Sequence, residues 1–516
     1  MRSRKNDKRK SGGRGGEPVP SGLIGGGRRP AAGCALLLVL SGCMLTPEPA
    51  DLALDIPAAY RAGTTRSYAA PPTLDWWGGF RSAELTGLIQ EAQASNLDIA
   101  AAMARVEQAD AAARASGAAL LPFLSGSGNA SQSRSSIAGS GVTSSPNRMR
   151  ESYSAQLSAS YEIDLWGKNR ASLRAAEENA VASRYAREVV GMTVLASTAN
   201  AYFQVVAAQE RLAIARRNLA SSDRVLTLVR QRADVGTASA LEIAQQESLV
   251  AGVRASLPLL DQTLQQNRNV LAVLLGRAPA AMSIRGGSLF GLGIPRVTPG
   301  VPADLMVQRP DIRQVEAQLA AASANVTVAR AQLLPTIQLT AQGGYSSPIL
   351  RTLFTPEAQF QSLAAGLVQP IFEGGRLLAN LDQQQARRIE LLNTYRQAIL
   401  SGMSDVENAL VAVQQSARRE QLQRVVRDSA RRAFDISETR LREGTVDQVT
   451  VLQTQQTLFS AEDTLASARL ARLQAAVSLY QALGGAWTRT PLNGEPVVRS
   501  ATLPSPNGAP RPAATP

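Results

Sequence analysis

The longest unbroken pattern in the chain runs from Gly167 to Val235, a stretch with no Pro and, past its first residue, no Gly but Gly191. Within it Leu212, Ala215, Leu219, Ser222, Leu226, Val229 and Ala233 follow one another by alternating steps of three and four. A 3.5-residue repeat keeps one seam against a partner helix, the mark of coiled-coil packing. At ~1.5 Å per residue this stretch predicts a helix of roughly 100 Å. Gly236-Thr237 ends it, and a second helix is expected from Ser239 to Leu275-Gly276, with Pro258 inside it expected to kink or break it. Ahead of the long helix, residues from Ser82 read as helical until Leu121-Pro122, where the missing backbone donor and the restricted preceding residue stop the pattern. Alternating segments near Phe123–Ser133 and Ser152–Ile163 then read as a strand pair.

The second half repeats this plan. Leu334-Pro335 answers Leu121-Pro122, Glu373-Gly374 answers Trp166-Gly167, Gly444-Thr445 answers Gly236-Thr237, and Leu483-Gly484 answers Leu275-Gly276, at offsets of 213, 207, 208 and 208 residues. The larger first offset is a longer loop between the strands of the first half, near Gly139–Asn147. Each half thus has one long helix (167–235 and about 375–443) and shorter ones. The pieces 239–275 and about 304–334, laid end to end, match the length of one long helix, so two short helices in line are expected to pair with a long one. Four strands cannot close alone in hydrocarbon, because an open edge leaves backbone groups unsatisfied. Three chains would supply twelve. The fold predicted is mainly α with a transmembrane β-barrel: long antiparallel helical hairpins forming an α-barrel in a homotrimer, four strands per chain, and a twofold internal repeat.

Composition narrows the chemistry. The chain has no His, which removes the commonest metal ligand and acid/base catalyst, and it has no Gly-rich phosphate loop with Lys before Ser or Thr. No catalytic residue, metal or soluble cofactor is expected. The net charge of +13 is concentrated at the start: residues 1–42 hold nine Arg and Lys against Asp7 and Glu17. The rest lies on mixed-charge helices without aromatic platforms, which argues against a nucleic-acid partner. The two cysteines, Cys34 and Cys43, both fall in this segment, so none can staple the body. The apolar run Ala31 to Leu40 is too short to span a bilayer but suits a signal peptide. Leu40-Ser41-Gly42-Cys43 resembles a lipobox, which predicts a diacylglycerol and an N-acyl chain on Cys43. Arg28-Arg29 fits the twin-arginine pattern poorly, and the long basic stretch before Arg28 fits a translation start nearer that residue.

Several motifs together resemble the outer-membrane efflux (TolC-like) family, in its lipoprotein (NodT-type) branch. They are Trp76-Trp77 with Phe80, Ser95-Asn96-Leu97-Asp98-Ile99, Tyr161-Glu162-Ile163-Asp164-Leu165-Trp166-Gly167, Ala201-Tyr202-Phe203, Arg309-Pro310-Asp311-Ile312, Gln369-Pro370-Ile371-Phe372 with Gly374-Gly375, and Leu483-Gly484-Gly485-Ala486-Trp487. The resemblance implies a passive outer-membrane channel fed by a resistance-nodulation-division pump through a periplasmic membrane-fusion adaptor. It divides the chain into a signal segment (1–42), a lipid-anchored linker (43–80), a first repeat (81–284), a second (285–487) and a disordered tail (488–516). Met44 after the Cys, in place of Asp, implies passage to the outer membrane. The hairpin tips become the periplasmic entrance and adaptor-docking surface: Arg232, Gly236, Ser239 and Glu242 in one, Arg442, Glu443, Gly444, Asp447 and Gln448 in the other. Any one of these polar residues could instead simply solvate an exposed turn. Relatives often carry an acidic aperture residue nine positions after the second tip glycine; Gln453 stands there here, leaving Asp447 to contribute a more peripheral charge. Two other readings remain at this stage: a coiled-coil envelope lipoprotein without a pore, and the outer duct of a dedicated type I secretion system. Arg309 and Asp311 are expected to pair or to cap a helix start. Trp76, Trp77, Trp166 and Trp487 are expected to pack at strand–helix junctions.

Overall fold

Glycine and proline cut the chain where the pattern places its boundaries, and the pieces between them assemble in two parallel sets. The computed structural model describes residues 54–57, 59–61, 75–134, 149–295, 302 and 308–485. Cys43, the signal segment 1–42, the first strand-to-strand loop near 139–147, Trp487 and the tail 488–516 lie outside them. The first repeat holds α1 (Ala83–Ser95), α2 (Leu97–Gly117), β1 (Phe123–Arg134), β2 (Met149–Ile163), α3 (Lys168–Asp234) and α4 (Ala240–Leu274). The second holds α5 (Pro310–Ala331), β3 (Thr336–Ser347), β4 (Gln359–Val368), α6 (Arg376–Arg442) and α7 (Gln448–Ala482).

The helices α3 and α6 have 67 residues each. Ala201, Val205, Ala208, Leu212, Ala215, Ser222, Leu226 and Val229 of α3 are buried and Leu219 and Ala233 half-buried, so most of the three-and-four seam packs as its spacing predicts, and it extends further toward the start of the helix. Both helices start after a left-handed glycine, Gly167 at φ 77° and Gly375 at φ 82°, where the chain turns out of a strand. At the first of these corners Asp164 accepts from the Asn169 and Arg170 amides at 3.0 and 2.9 Å, and the Trp166 indole donates to the Pro335 carbonyl at 2.7 Å.

The in-line pairing differs from the expected one. The end of α4 meets the start of α2, not the helix near 304–334, and α7 meets α5 in the same way. Asn96 Nδ2 donates to the Leu274 carbonyl at 2.8 Å, and Arg309 Nη1 donates to the Ala482 carbonyl at 2.9 Å. The glycines at these joints, Gly276 and Gly484, have φ of 66° and 91°, and a Cβ there would come within 2.5 and 2.7 Å of the Ser95 and Gln308 carbonyl oxygens. The reason is a break inside 82–121 with neither Gly nor Pro. Asn96 caps α2 by accepting from the Asp98 and Ile99 amides at 2.9 and 3.1 Å, so one expected helix is two. Pro258 does not interrupt α4, which is one helix of 35 residues. The carbonyl it deprives of a partner belongs to exposed Arg254, where water can serve.

The strands form one antiparallel sheet in the order β1-β2-β3-β4, leaving β1 and β4 as edges. Trp76 and Trp77 are buried near mid-length of the body rather than at a strand–helix junction: Trp76 stacks on Tyr480 at 5.0 Å, and Phe80 packs on Phe203 of α3 at 4.9 Å. Only Trp166, among the described tryptophans, lies at such a junction.

Candidate functional site

Two regions carry features that folding alone does not explain: the paired hairpin tips and the sheet. At each tip the helix ends in a Schellman motif. Thr237 N–H reaches the Arg232 carbonyl at 2.8 Å and Gly236 N–H the Ala233 carbonyl at 2.8 Å; Thr445 and Gly444 repeat this on Arg440 and Leu441 at 2.9 and 3.1 Å. The returning helix is then capped. Ser239 and Glu242 form a capping box, and Asp447 accepts from the Thr450 amide at 2.8 Å. Hydrogen bonds from Thr450 hold the Asp447 carboxyl below the usual aspartate range. Arg232 donates to the Thr237 carbonyl at 3.1 Å, and Arg442 lies 3.6 Å from Glu438 on its own helix. Glu443 and Gln453 are exposed. Most tip residues singled out in the sequence therefore close helix ends, while Val235 and Leu241 at the first turn stand 74% and 66% exposed.

Gln448 is the exception, and it is not on the surface. It is 2% exposed and donates to Gln246 Oε1 at 3.0 Å, joining α7 to the other hairpin. Gln246 donates to the Ser222 carbonyl at 3.0 Å, and Gln455 Nε2 donates to Ser222 Oγ at 3.3 Å. These four side chains form a buried polar seam between α3, α4 and α7, with Gln448 Oε1 left without a partner. Further up, Arg211 and Asp463 make a two-pronged pair at 2.6 and 3.0 Å between the same hairpins. Beside the seam an open groove of about 770 Å³ runs between α4 and α7, lined by Ala244, Ser248, Gly252, Val449 and Leu452. Ser222 was placed on the packing seam of the long helix by its spacing, but Gln246 and Gln455 were invisible in the sequence, since a Gln that is buried looks like one that is solvated.

Near mid-height, buried Glu420 of α6 accepts from Arg472 at 2.9 Å, from Arg469 at 3.3 and 3.4 Å, and from Arg424. Arg469 also donates to the carbonyls of Leu289 and Leu292, clamping the loop after α4 onto the second hairpin. Burial pushes the Glu420 carboxyl up, but hydrogen bonds from Arg472 and Arg424 and the charge of Arg469 outweigh it and hold the group below the usual glutamate range. Arg309 pairs with Asp311 at 3.0 and 2.7 Å and with Asp405 of α6 at 3.1 Å, and its bond to the Ala482 carbonyl joins it to α7. Among the described residues no three His, Cys, Asp or Glu side chains are placed to hold a metal ion.

The sheet has two chemically distinct faces, set by its register. Leu124, Leu157, Ala159, Tyr161, Ile163, Ile337, Leu339, Ala341, Tyr345, Leu363, Ala365 and Leu367 share one face, with Gln359, Gln361, Ser347, Gln132 and Glu151 as polar exceptions toward its outer end. The other carries Ser125, Ser127, Asn129, Gln156, Ser158, Ser160, Gln338, Thr340, Gln342 and Ser362, with Phe123, Phe360 and Val368 as apolar exceptions on the edge strands. No charged side chain stands in the sheet between Glu162 at its helix end and Glu151 at its outer end. The apolar face is not covered: Leu363 is 82% exposed and Leu367 66%. From Ile337 to Tyr345 it runs roughly 27 Å along the strand, the order of the ~25 Å apolar band of an outer-membrane barrel. A window of α3 is also apolar enough to cross a membrane by composition, but half of it is buried inside the helical body.

A family model described as outer membrane efflux protein matches residues 88–277 and 301–485. The pyoverdine export outer membrane protein OpmQ of Pseudomonas aeruginosa is 43% identical over 454 residues, covering 87% of this chain and 95% of that protein. The toluene efflux pump outer membrane protein TtgF of Pseudomonas putida is 33% identical over 466 residues, covering 88% and 96%. Among solved structures, that of the outer-membrane channel OprN superposes with a TM-score of 0.78 at 25% identity, covering 85% of this chain and 99% of the other.

Proposed function

This chain belongs to the outer membrane efflux protein family, and from that premise we propose that three copies assemble into a pore conducting small molecules passively from the periplasm to the exterior. It is an outer-membrane component of an efflux system, a transport part rather than an enzyme by family. The observation that carries the pore reading is the two-faced sheet, uncharged between Glu162 and Glu151, with free edges at β1 and β4. Hydrocarbon tolerates the Leu-rich face but not the open edges, and joining β4 of one copy to β1 of the next removes both edges. Twelve strands then surround a lumen lined with Ser, Thr and Gln. The helical hairpins extend below as the periplasmic duct.

The remaining parts follow from the same reading. A membrane-fusion adaptor docks on the tips around Arg232, Glu242, Arg442, Glu443 and Asp447, and a resistance-nodulation-division pump supplies the energy. Exposed Val235 and Leu241 give such a partner an apolar foothold. The Ser222–Gln246–Gln448–Gln455 seam holds the two hairpins together in the closed state, and docking shifts the population toward separated hairpins. Lipid on Cys43 tethers the chain to the membrane that holds its barrel. The named cargo of the two relatives, pyoverdine and toluene, differs widely in polarity, which suits a duct whose pump selects the substrate.

Deleting the gene tests this reading in cells. Raised sensitivity to several unrelated drugs or dyes is expected, and an unchanged profile would confine the chain to a single dedicated export substrate. Loss of radiolabelled palmitate from Cys43→Ala is expected, and persistent labelling would remove the anchor from the account.

A further inference from the structure

The loop between β3 and β4 carries apolar side chains where a solvated loop would carry polar ones. Ile349, Leu350 and Phe354 are 50%, 60% and 72% exposed, while Leu353 beside them is buried. Two contacts fix the side of the sheet toward which this loop folds. Tyr345 and Ser347 end β3 on the same face as Ile337 and Leu339, the apolar one. Phe354 meets the Tyr345 ring edge-on at 5.6 Å. Ser347 Oγ accepts from the Ile349 amide at 3.1 Å and shares a 2.7 Å hydrogen bond with Thr352 Oγ1. Both anchors pull the loop outward. A loop folded over the Ser- and Gln-rich face would lie across the pore mouth; this one prolongs the apolar band past its outer end.

We propose that this loop is a membrane anchor whose apex, Ile349, Leu350 and Phe354, enters the interfacial layer of the outer leaflet. Lipid is the occupant because Phe354 packs on Tyr345, the last ring of the face already in hydrocarbon, so the apex continues that face past Gln359 and Gln361 on the neighbouring edge strand. Tyr345, beside Phe354, stands at the depth where aromatic rings favour the headgroup layer. Exposed Arg351 lies between Leu350 and Leu353, and its long stem lets the guanidinium reach a lipid phosphate while the methylenes stay with the apolar neighbours. Such an anchor would fix how deep the barrel sits and how far its outer rim can tilt.

The inference rests on the barrel reading, and one experiment separates the two. The full chain carrying F354C or L350C is labelled with a nitroxide and reconstituted in phosphatidylcholine–phosphatidylglycerol vesicles. Collision with oxygen and with a water-soluble nickel chelate is then compared with that of L363C on the apolar face and S131C on the polar one. The unsubstituted protein, labelled in parallel, supplies the background from any native thiol left free. Labels at 354 and 350 are expected to favour oxygen over nickel as the L363C label does. Nickel access equal to that of S131C, with L363C still in lipid, overturns the anchor. Nickel access at L363C itself overturns the barrel on which it stands. Leu350 takes no part in the Phe354–Tyr345 ring contact, so L350C keeps the test decisive if F354C disturbs the loop.

Discussion

The helical body and the four-stranded sheet bury opposite chemistry. In the body, apolar side chains such as Phe80, Phe203 and Leu271 are fully enclosed, and the few buried polar groups, Glu420 and Gln246 among them, are tied to partners on neighbouring helices. In the sheet the leucines face outward and the hydroxyls and amides lie together on the opposite side. One chain thus follows two solvents: the body satisfies the rules of water and the sheet those of hydrocarbon. The boundary between them is narrow. It runs through the corner where Asp164 caps α3 and the Trp166 indole reaches Pro335.

The comparison is broken most severely at Glu420. Glu420→Gln leaves the buried Arg469 without its counter-charge, and a loss of about 3–5 kcal/mol is expected in chemical unfolding of the detergent-solubilised protein. The same residue sets a pH dependence. Its folded carboxyl titrates below the ordinary glutamate range, so its contribution is complete above that range and is lost as pH falls through the folded value. The acid limb of the wild-type stability curve should therefore be steeper than that of Glu420→Gln. Parallel curves would assign the acid sensitivity elsewhere.

In the sheet the sign of polarity reverses. Leu363→Arg, near mid-band, should cost about 2–4 kcal/mol when folding is measured into lipid vesicles. A charge on the opposite face, as in Ser158→Asp, should change stability by less than about 1 kcal/mol and shift ion selectivity toward cations. Equal costs at 363 and 158 would mean that the two faces see the same environment. Gln448→Leu belongs to the body but reads out as function. Replacing one member of the seam should leave the fold in place and raise the open probability of the channel, with wild-type gating as the contrary outcome.

How much of this was legible in the sequence depended on whether a residue type has only one common use. Gly236, Gly444, Pro122 and Pro335 do, and the boundaries of both long helices and of the first strand pair came out within a few residues. Asn96 does not. As a cap it splits α1 from α2 without any Gly or Pro, and overlooking it misdirected the in-line pairing of the short helices. Gln448 was placed on the surface because glutamine usually lies there; its burial depends on Gln246, which is 202 residues away. The tip residues Ser239, Glu242 and Asp447 were found by position, but their capping chemistry shows that local helix closure accounts for them before any partner does. The sheet's two faces were faint for a different reason. With Ser, Gly and Ala at so many positions, alternation within one strand is weak, and only the register of all four makes it plain.

The most direct test of the pore is electrical. Purified full-length protein and its Gln448→Leu variant are added to planar lipid bilayers, with Ser158→Asp as a probe of the lumen. Discrete conductance steps, longer open times in Gln448→Leu, and cation selectivity raised by Ser158→Asp are expected. Folded, membrane-inserted protein that conducts nothing in any of the three forms would contradict the pore.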